Sequence, residues 1–209
     1  MSDEAAAIPG KVATGAAGPI GGGAKNGWPR MANGYPATPL EYALRYAAQG
    51  WRVLPVKPHA KRPLTAHGVQ DATTDEARLR QWWQRWPNAN LGLAMGRCSG
   101  VFALDVDPRH GGEGALDRLK RQVEAAEGAW PDTVEALTGG GGTHLLFRYP
   151  ATGRVPSRTL APELEVKSDG TYLVVEPSIH PSGQACVFCS KVATDSTAKL
   201  PPIPDESGH

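Results

Sequence analysis

The chain has only three cysteines, and an odd count rules out a closed disulfide framework. A reducing compartment suits that usage, and a cytoplasmic location is expected. Long apolar runs are missing too. Runs such as residues 101–104 and 172–175 fall far short of the roughly 20 needed to cross a bilayer, so no membrane partner is expected. The opening Met-Ser-Asp-Glu has no apolar stretch behind it, which argues against a secretory signal. A charge excess is likewise absent: 22 basic against 21 acidic residues leave +1, without the broad positive field of many nucleic-acid binders. Neutrality of the total still permits local clustering, and Lys57, His59, Lys61, Arg62 and His67 form one basic group. No internal repeat is present. What remains is an ordinary soluble composition, long enough for one domain with flexible ends.

Residues 1–37 are rich in Gly, Ala and Pro without periodicity and are expected to be disordered, since they cannot bury enough apolar surface to offset ordering. A catalytic domain is expected over 38–190, followed by a flexible tail over 191–209. Order should begin at Thr38, which with Glu41 makes a capping box around Pro39; Leu40, Ala43, Leu44 and Ala47 then line one helix face, and Gly50 ends it. A strand over 51–56 leads into the basic loop 57–63. A second capping box, Thr73 with Glu76, is expected to start a helix buried through Leu79, Trp82, Trp83 and Trp86 and stopped by Pro87. That spacing fits core packing better than base stacking. Strands at 91–95 and 101–106 precede a third helix with Leu116, Leu119, Val123 and Ala126 on one face. Residues 134–137 and 144–149, around a glycine run, read as a hairpin. Residues 164–167 and 172–176, joined through Ser168-Asp169-Gly170, read as another, and a last strand is expected at 185–188. Helices and strands mix without strict alternation, so the fold class is α+β with mostly antiparallel sheets.

Three places carry chemistry. In Leu104-Asp105-Val106-Asp107-Pro108, two aspartates at i and i+2 of a strand share a face, roughly 6.5–7 Å apart. Their oxygens suit a hard cation such as Mg²⁺ or Mn²⁺, although acids at a strand end can equally cap the turn at Pro108. In Gly139-Gly140-Gly141-Gly142-Thr143-His144, backbone amides can approach an anion and the imidazole can donate to a phosphate oxygen, making Gly141, Gly142, Thr143 and His144 nucleotide-binding candidates. A flexible hairpin turn is the plainer account. No Gly-Lys-Ser/Thr follows, so this is not a Walker loop. Glu165, between Leu164 and Val166, completes a set of three carboxylates, the number that a two-metal phosphoryl-transfer site requires. The nearby loop offers Ser178 and His180 as phosphate or sugar contacts, or as ordinary turn residues. Cys186 and Cys189 form a C-x-x-C without the second pair that zinc would want, and ordinary packing is expected of them.

These blocks, taken in order, resemble the N-terminal domain of bifunctional DNA primase/polymerases, in the archaeo-eukaryotic primase superfamily. The resemblance spans about 40–188. It runs through Gly50-Trp51-Arg52-Val53-Leu54-Pro55-Val56, Lys61-Arg62-Pro63, Trp86-Pro87-Asn88-Ala89-Asn90-Leu91-Gly92, the Asp105–Asp107 block, Thr138 to Phe147, and Asp169 to Ser178. It implies a primase-polymerase core with a sheet of the RNA-recognition-motif type carrying the metal ligands. Asp105 and Asp107 match the family's paired acids, and His144 matches its phosphate-contacting histidine. Glu165 stands where an aspartate is commoner, as third ligand, and Gly142 stands where a serine is often seen. Lys61 and Arg62 match the basic loop and are expected to contact phosphate.

The implied activity is template-dependent nucleotidyl transfer on single-stranded DNA from NTP or dNTP substrates, with two divalent ions, Mg²⁺ or Mn²⁺. Larger relatives continue into a helicase, so a helicase or replication protein is an expected partner, in plasmid or phage replication. Two alternatives stand beside this: an inactive single-strand-binding replication module of a mobile element, and a metal-dependent nuclease using the same acids.

Overall fold

The computed structural model describes residues 38–108, 111–131 and 133–189. The expected disorder of 1–37 and the tail over 191–209 lie outside the described residues. Helix α1, Pro39–Ala48, begins at the expected capping box: Thr38 Oγ1 accepts Glu41 N–H, and the Glu41 carboxylate accepts Thr38 N–H. It buries Ala43, Tyr46 and Ala47. Strand β1, Val53–Val56, follows, and then a 3₁₀ turn, Gly68–Asp71, in a stretch with no periodic signal.

Helix α2, Glu76–Arg85, starts later than the sequence suggests, and its N-cap is Asp75, which accepts Ala77 and Arg78 N–H. Thr73 cannot cap it because its backbone is paired in both directions with Val53 and is held extended. Leu79, Trp82 and Trp83 of the expected stripe are buried, whereas Trp86 is the C-cap residue and only half-buried. Trp83 Nε1 donates to Ala89 O at 3.3 Å, satisfying the indole inside the core.

Strands β2 (Asn90–Ala94) and β3 (Val101–Val106) precede helix α3 (Gly112–Glu127). Helix α3 buries Ala115 and Leu119, while Leu116 and Val123 are half-buried and Ala126 is exposed, so the apolar face is rotated from the expected one. Strands β4 (Val134–Leu137) and β5 (Thr143–Arg148) form the expected hairpin. They are followed by β6 (Arg158–Ala161), β7 (Leu164–Lys167), β8 (Tyr172–Val175) and β9 (Val187–Cys189).

The fold is α+β with two antiparallel sheets, in the orders β1-β2-β8 and β6-β7-β3-β5-β4-β9. The expected hairpin of β7 with β8 is not formed: β7 pairs with β3 and β6, whereas β8 pairs with β2. The link between them turns at Ser168–Thr171, where Asp169 accepts Arg97 N–H and abuts Gly96, sending the chain across to the small sheet. Within the large sheet, β7-β3-β5-β4 has the order of an RNA-recognition-motif sheet, with β6 in the connection where a second helix would otherwise lie.

Strict alternation along β3 decides where the site falls. Phe102, Leu104 and Val106 face α3, packing with Leu145, Phe147, Leu164, Val166, Ala115 and Leu119. Val101 and Ala103 face the other core, built from α1, α2 and the inner row of the small sheet, Val53, Leu91, Leu93, Leu173 and Val175. The next residue on that second face is Asp105, where the apolar core stops.

Candidate active site

The register brings three of the expected residues into one row. Asp105 lies directly opposite His144 on β5 and directly opposite Glu165 on β7. Facing residues in adjacent strands project to the same side, so all three side chains share one face of the sheet. His144 Nε2 is 3.4 Å from Asp105 Oδ1, and the imidazole is 9% exposed against 34% for the carboxylate. Asp107 continues the line: its N–H donates to Glu163 O at 2.9 Å, extending the β3–β7 ladder beyond Val106.

Lys167 joins this group, a residue that its type and place in the sequence do not single out. It lies two residues beyond Glu165 on β7, hence on the same face, and its ammonium pairs with Glu165 Oε2 and stands 3.7 Å from Asp105 Oδ2. The alternation of Leu164-Glu165-Val166-Lys167 carried the signal, since whichever face takes Glu165 also takes Lys167. Burial pushes the Asp105 carboxyl upward. The hydrogen bond and charge of His144, with the charges of Lys167 and Lys61, outweigh this and hold it below the usual carboxylate range.

The charge of Lys61 is also felt at this row. Its side chain is exposed, its charge acts on both Asp105 and the Cys186 thiol, and its C=O accepts the Tyr172 hydroxyl, which ties loop 57–63 to β8. Arg62 is exposed, and its C=O accepts Lys57 N–H. Cys186 is buried, as expected of a packing residue, and Gly139 N–H donates to its thiol; the Cys189 side chain lies outside the described residues.

Other expected contacts are taken up by the fold. Gly141 N–H donates to Thr138 O and Gly142 N–H to Thr138 Oγ1, both at 2.9 Å, so these amides close the hairpin and are not turned toward an anion. Thr143 pairs with Val106 and so faces the α3 side, opposite to His144. Ser178 is buried, accepting Leu91 N–H at 2.8 Å and donating to Leu91 O at 3.3 Å, which fastens it to β2. His180 packs its ring over Gly140 while its Nδ1 accepts Ser182 N–H at 3.1 Å, which bolts this loop onto the glycine run.

Chemically, the row is a set of hard oxygen donors beside the Lys167 ammonium and the His144 imidazole. Among the described residues, no group of three or more His, Cys, Asp or Glu side chains is gathered closely enough, as it stands, to hold a metal ion. A cavity of ≈ 380 Å³ opens elsewhere, between Pro58, His59, Asn90 and Ile179, and no residue of the acid row lines it.

The sequence profile of the bifunctional DNA primase/polymerase N-terminal domain, Prim-Pol, matches residues 43–206, most of the chain. The chain belongs to the Prim-Pol family. Its function is therefore of the DNA primase/polymerase type, a nucleotidyltransferase-type activity with DNA and nucleotides as substrates. A search of curated proteins finds no match. The Prim-Pol match covers every member of the acid row, from Asp105 on β3 to Lys167 on β7. No helix among the described residues is long and apolar enough to cross a membrane.

Proposed function

We propose that this Prim-Pol domain is a template-dependent nucleotidyltransferase that extends or starts chains on single-stranded DNA, with the Asp105 row as its catalytic centre. The supporting observation is the juxtaposition of Asp105 with Glu165 on one side and His144 on the other, on the face of β3 where the apolar core gives way to polar residues. The donor set fits divalent cations: the oxygens are carboxylates, and they already draw a positive charge, the Lys167 ammonium, between two strands. Asp105, Asp107 and Glu165 would hold Mg²⁺ or Mn²⁺. When bound, two such ions supply charge neutralisation for the triphosphate and a lowered pKa for the attacking 3′-hydroxyl.

The chain's own groups do the rest. His144, almost covered and anchored by Asp105, presents an imidazole of fixed orientation to a phosphate oxygen. Lys61, on a loop tied down by Tyr172, adds positive charge near the acid row, where the triphosphate or template backbone would lie. The single strand is held by charge and stacking and not by base reading.

Extension of a primed single-stranded template with Mn²⁺ and labelled nucleotide tests this. The D105A/D107A double variant should lose more than about 10³-fold of the activity, beyond the scale on which one preorganised electrostatic donor acts, while retaining the fold by circular dichroism. Undiminished synthesis by the double variant would end the proposal. Strand binding without incorporation by the unaltered chain would point to an inert binding module, and shortening of the labelled strand to a nuclease.

A further inference from the structure

The charges in the acid row are shared unevenly. A lysine beside a glutamate on an exposed strand is ordinarily a solvated pair of little worth. Here the ammonium reaches carboxylates on two different strands, Glu165 of β7 and Asp105 of β3, and its side chain is only 25% exposed. Lys167 sits opposite Ala103, whose small side chain leaves room above β3 for the lysine stem to lean toward Asp105. The ammonium therefore occupies the space between two carboxylates that the proposed function assigns to a divalent ion.

Both cations cannot use the same oxygens. A divalent ion entering between Asp105 and Glu165 meets a positive charge within a few ångströms and must displace it. The displaced ammonium then needs another anion, and the one that arrives during the reaction is the nucleotide's triphosphate. Lysine suits such a transfer because its charge is a point on a flexible stem, whereas arginine's planar fork engages a carboxylate through two bonds at once.

We propose that Lys167 is a built-in counter-cation that keeps the acid row closed to free metal and passes to the triphosphate when nucleotide arrives, coupling the entry of the two. This rests on the reading of the row as a metal site. It makes Lys167 a nucleotide-positioning residue whose removal has opposite effects on the two ligands. Metal binding without nucleotide is strengthened, because a competing charge is gone, and nucleotide binding in the presence of metal is weakened, because the phosphates lose a partner.

The test uses the full chain and two binding measurements. Mn²⁺ affinity without nucleotide is followed by electron paramagnetic resonance of the free ion. Affinity for a non-hydrolysable deoxynucleoside triphosphate analogue is measured by calorimetry at saturating Mn²⁺. K167M should bind Mn²⁺ about tenfold more tightly and the analogue about tenfold more weakly, within the range of ordinary site-to-site couplings. K167R, which keeps the charge, should bind free Mn²⁺ no better than the unaltered chain. If K167M fails to fold, K167Q carries the same expectations. Unchanged Mn²⁺ affinity in the uncharged variant would overturn the closing role. A gain in Mn²⁺ affinity with no loss for the analogue would reduce Lys167 to a static counter-ion, and overturn the transfer. D105A distinguishes a failed transfer from a failed metal site: if it leaves Mn²⁺ binding untouched, the row is not a metal site.

Discussion

Asp105 carries opposing demands on one carboxyl. Burial raises its pKa, and the bond from His144 with the charges of His144, Lys167 and Lys61 brings it below the ordinary 3.8. A folded-state pKa below the unfolded one means that the ionised form stabilises the native state. That contribution is complete above the ordinary aspartate pKa and is lost as pH falls through the depressed value. D105N imitates the protonated form, so in metal-free protein it should lower the urea midpoint at pH 7. The gap from the unaltered chain should begin to close as the pH falls below the ordinary 3.8 and vanish below the depressed value. Urea melts at pH 7, 5 and 3 check this. A D105N variant more stable than the parent at pH 7 would mean that desolvation, and not pairing, governs the site. The row itself was legible in the sequence because Asp105, His144 and Glu165 each stand out by residue type. Lys167 was not, because a lysine ending a short strand acquires meaning only when the register shows which carboxylates stand beside it.

At the level of elements, local signals were legible and non-local ones were not. The capping box of α1, the apolar run of β3 and the glycine-linked hairpin β4–β5 depend on neighbouring residues and lie as expected. The start of α2 was misplaced because Thr73 is recruited by β1, and β7 and β8 part company because their partners, β3 and β2, are distant in sequence. Thr143 and Ser178 looked like phosphate contacts until the register turned one to the far face and Leu91 engaged the other. The glycine run also changes meaning: it lets two loops touch. A Cβ on Gly139 would lie 2.4 Å from both Gln184 O and His180 Cβ, whereas one on Gly141, at φ +86°, would meet nothing. G141A should therefore cost only the left-handed strain, about 1–2 kcal/mol. G139A must push the loop 180–186 away, and should also expose the buried Cys186 thiol to which Gly139 N–H donates. With Cys98 and Cys189 replaced by serine, thiol labelling under native conditions should accelerate in G139A and stay slow in G141A. Equal labelling in both would show that the run serves only as a turn.

Considered whole, the molecule is almost neutral, and this limits how it can hold DNA. With 22 basic and 21 acidic residues there is no long-range field to concentrate a polyanion on its surface, so affinity has to come from a few local cations. Two of the candidates, Lys61 and Arg62, lie on the loop that the Tyr172 hydroxyl fastens to the small sheet, and Lys61 is the one whose charge is felt at Asp105. Anchoring matters here, because a cation on a tethered loop gives up less freedom on meeting a phosphate than one on a free loop. Each phosphate neutralised on a single strand contributes roughly 0.7 to the slope of log affinity against log salt, so these two cations can account for at most about 1.4 of that slope. Binding of a fluorescent oligo-dT to the metal-free chain, titrated between low and physiological salt, should give a shallow dependence. K61A/R62A should flatten it by about one and weaken binding to the same extent for oligomers of other sequence, since phosphate contacts carry no base information. A slope unmoved by the double substitution would show that Lys61 and Arg62 do not meet the phosphates of the strand.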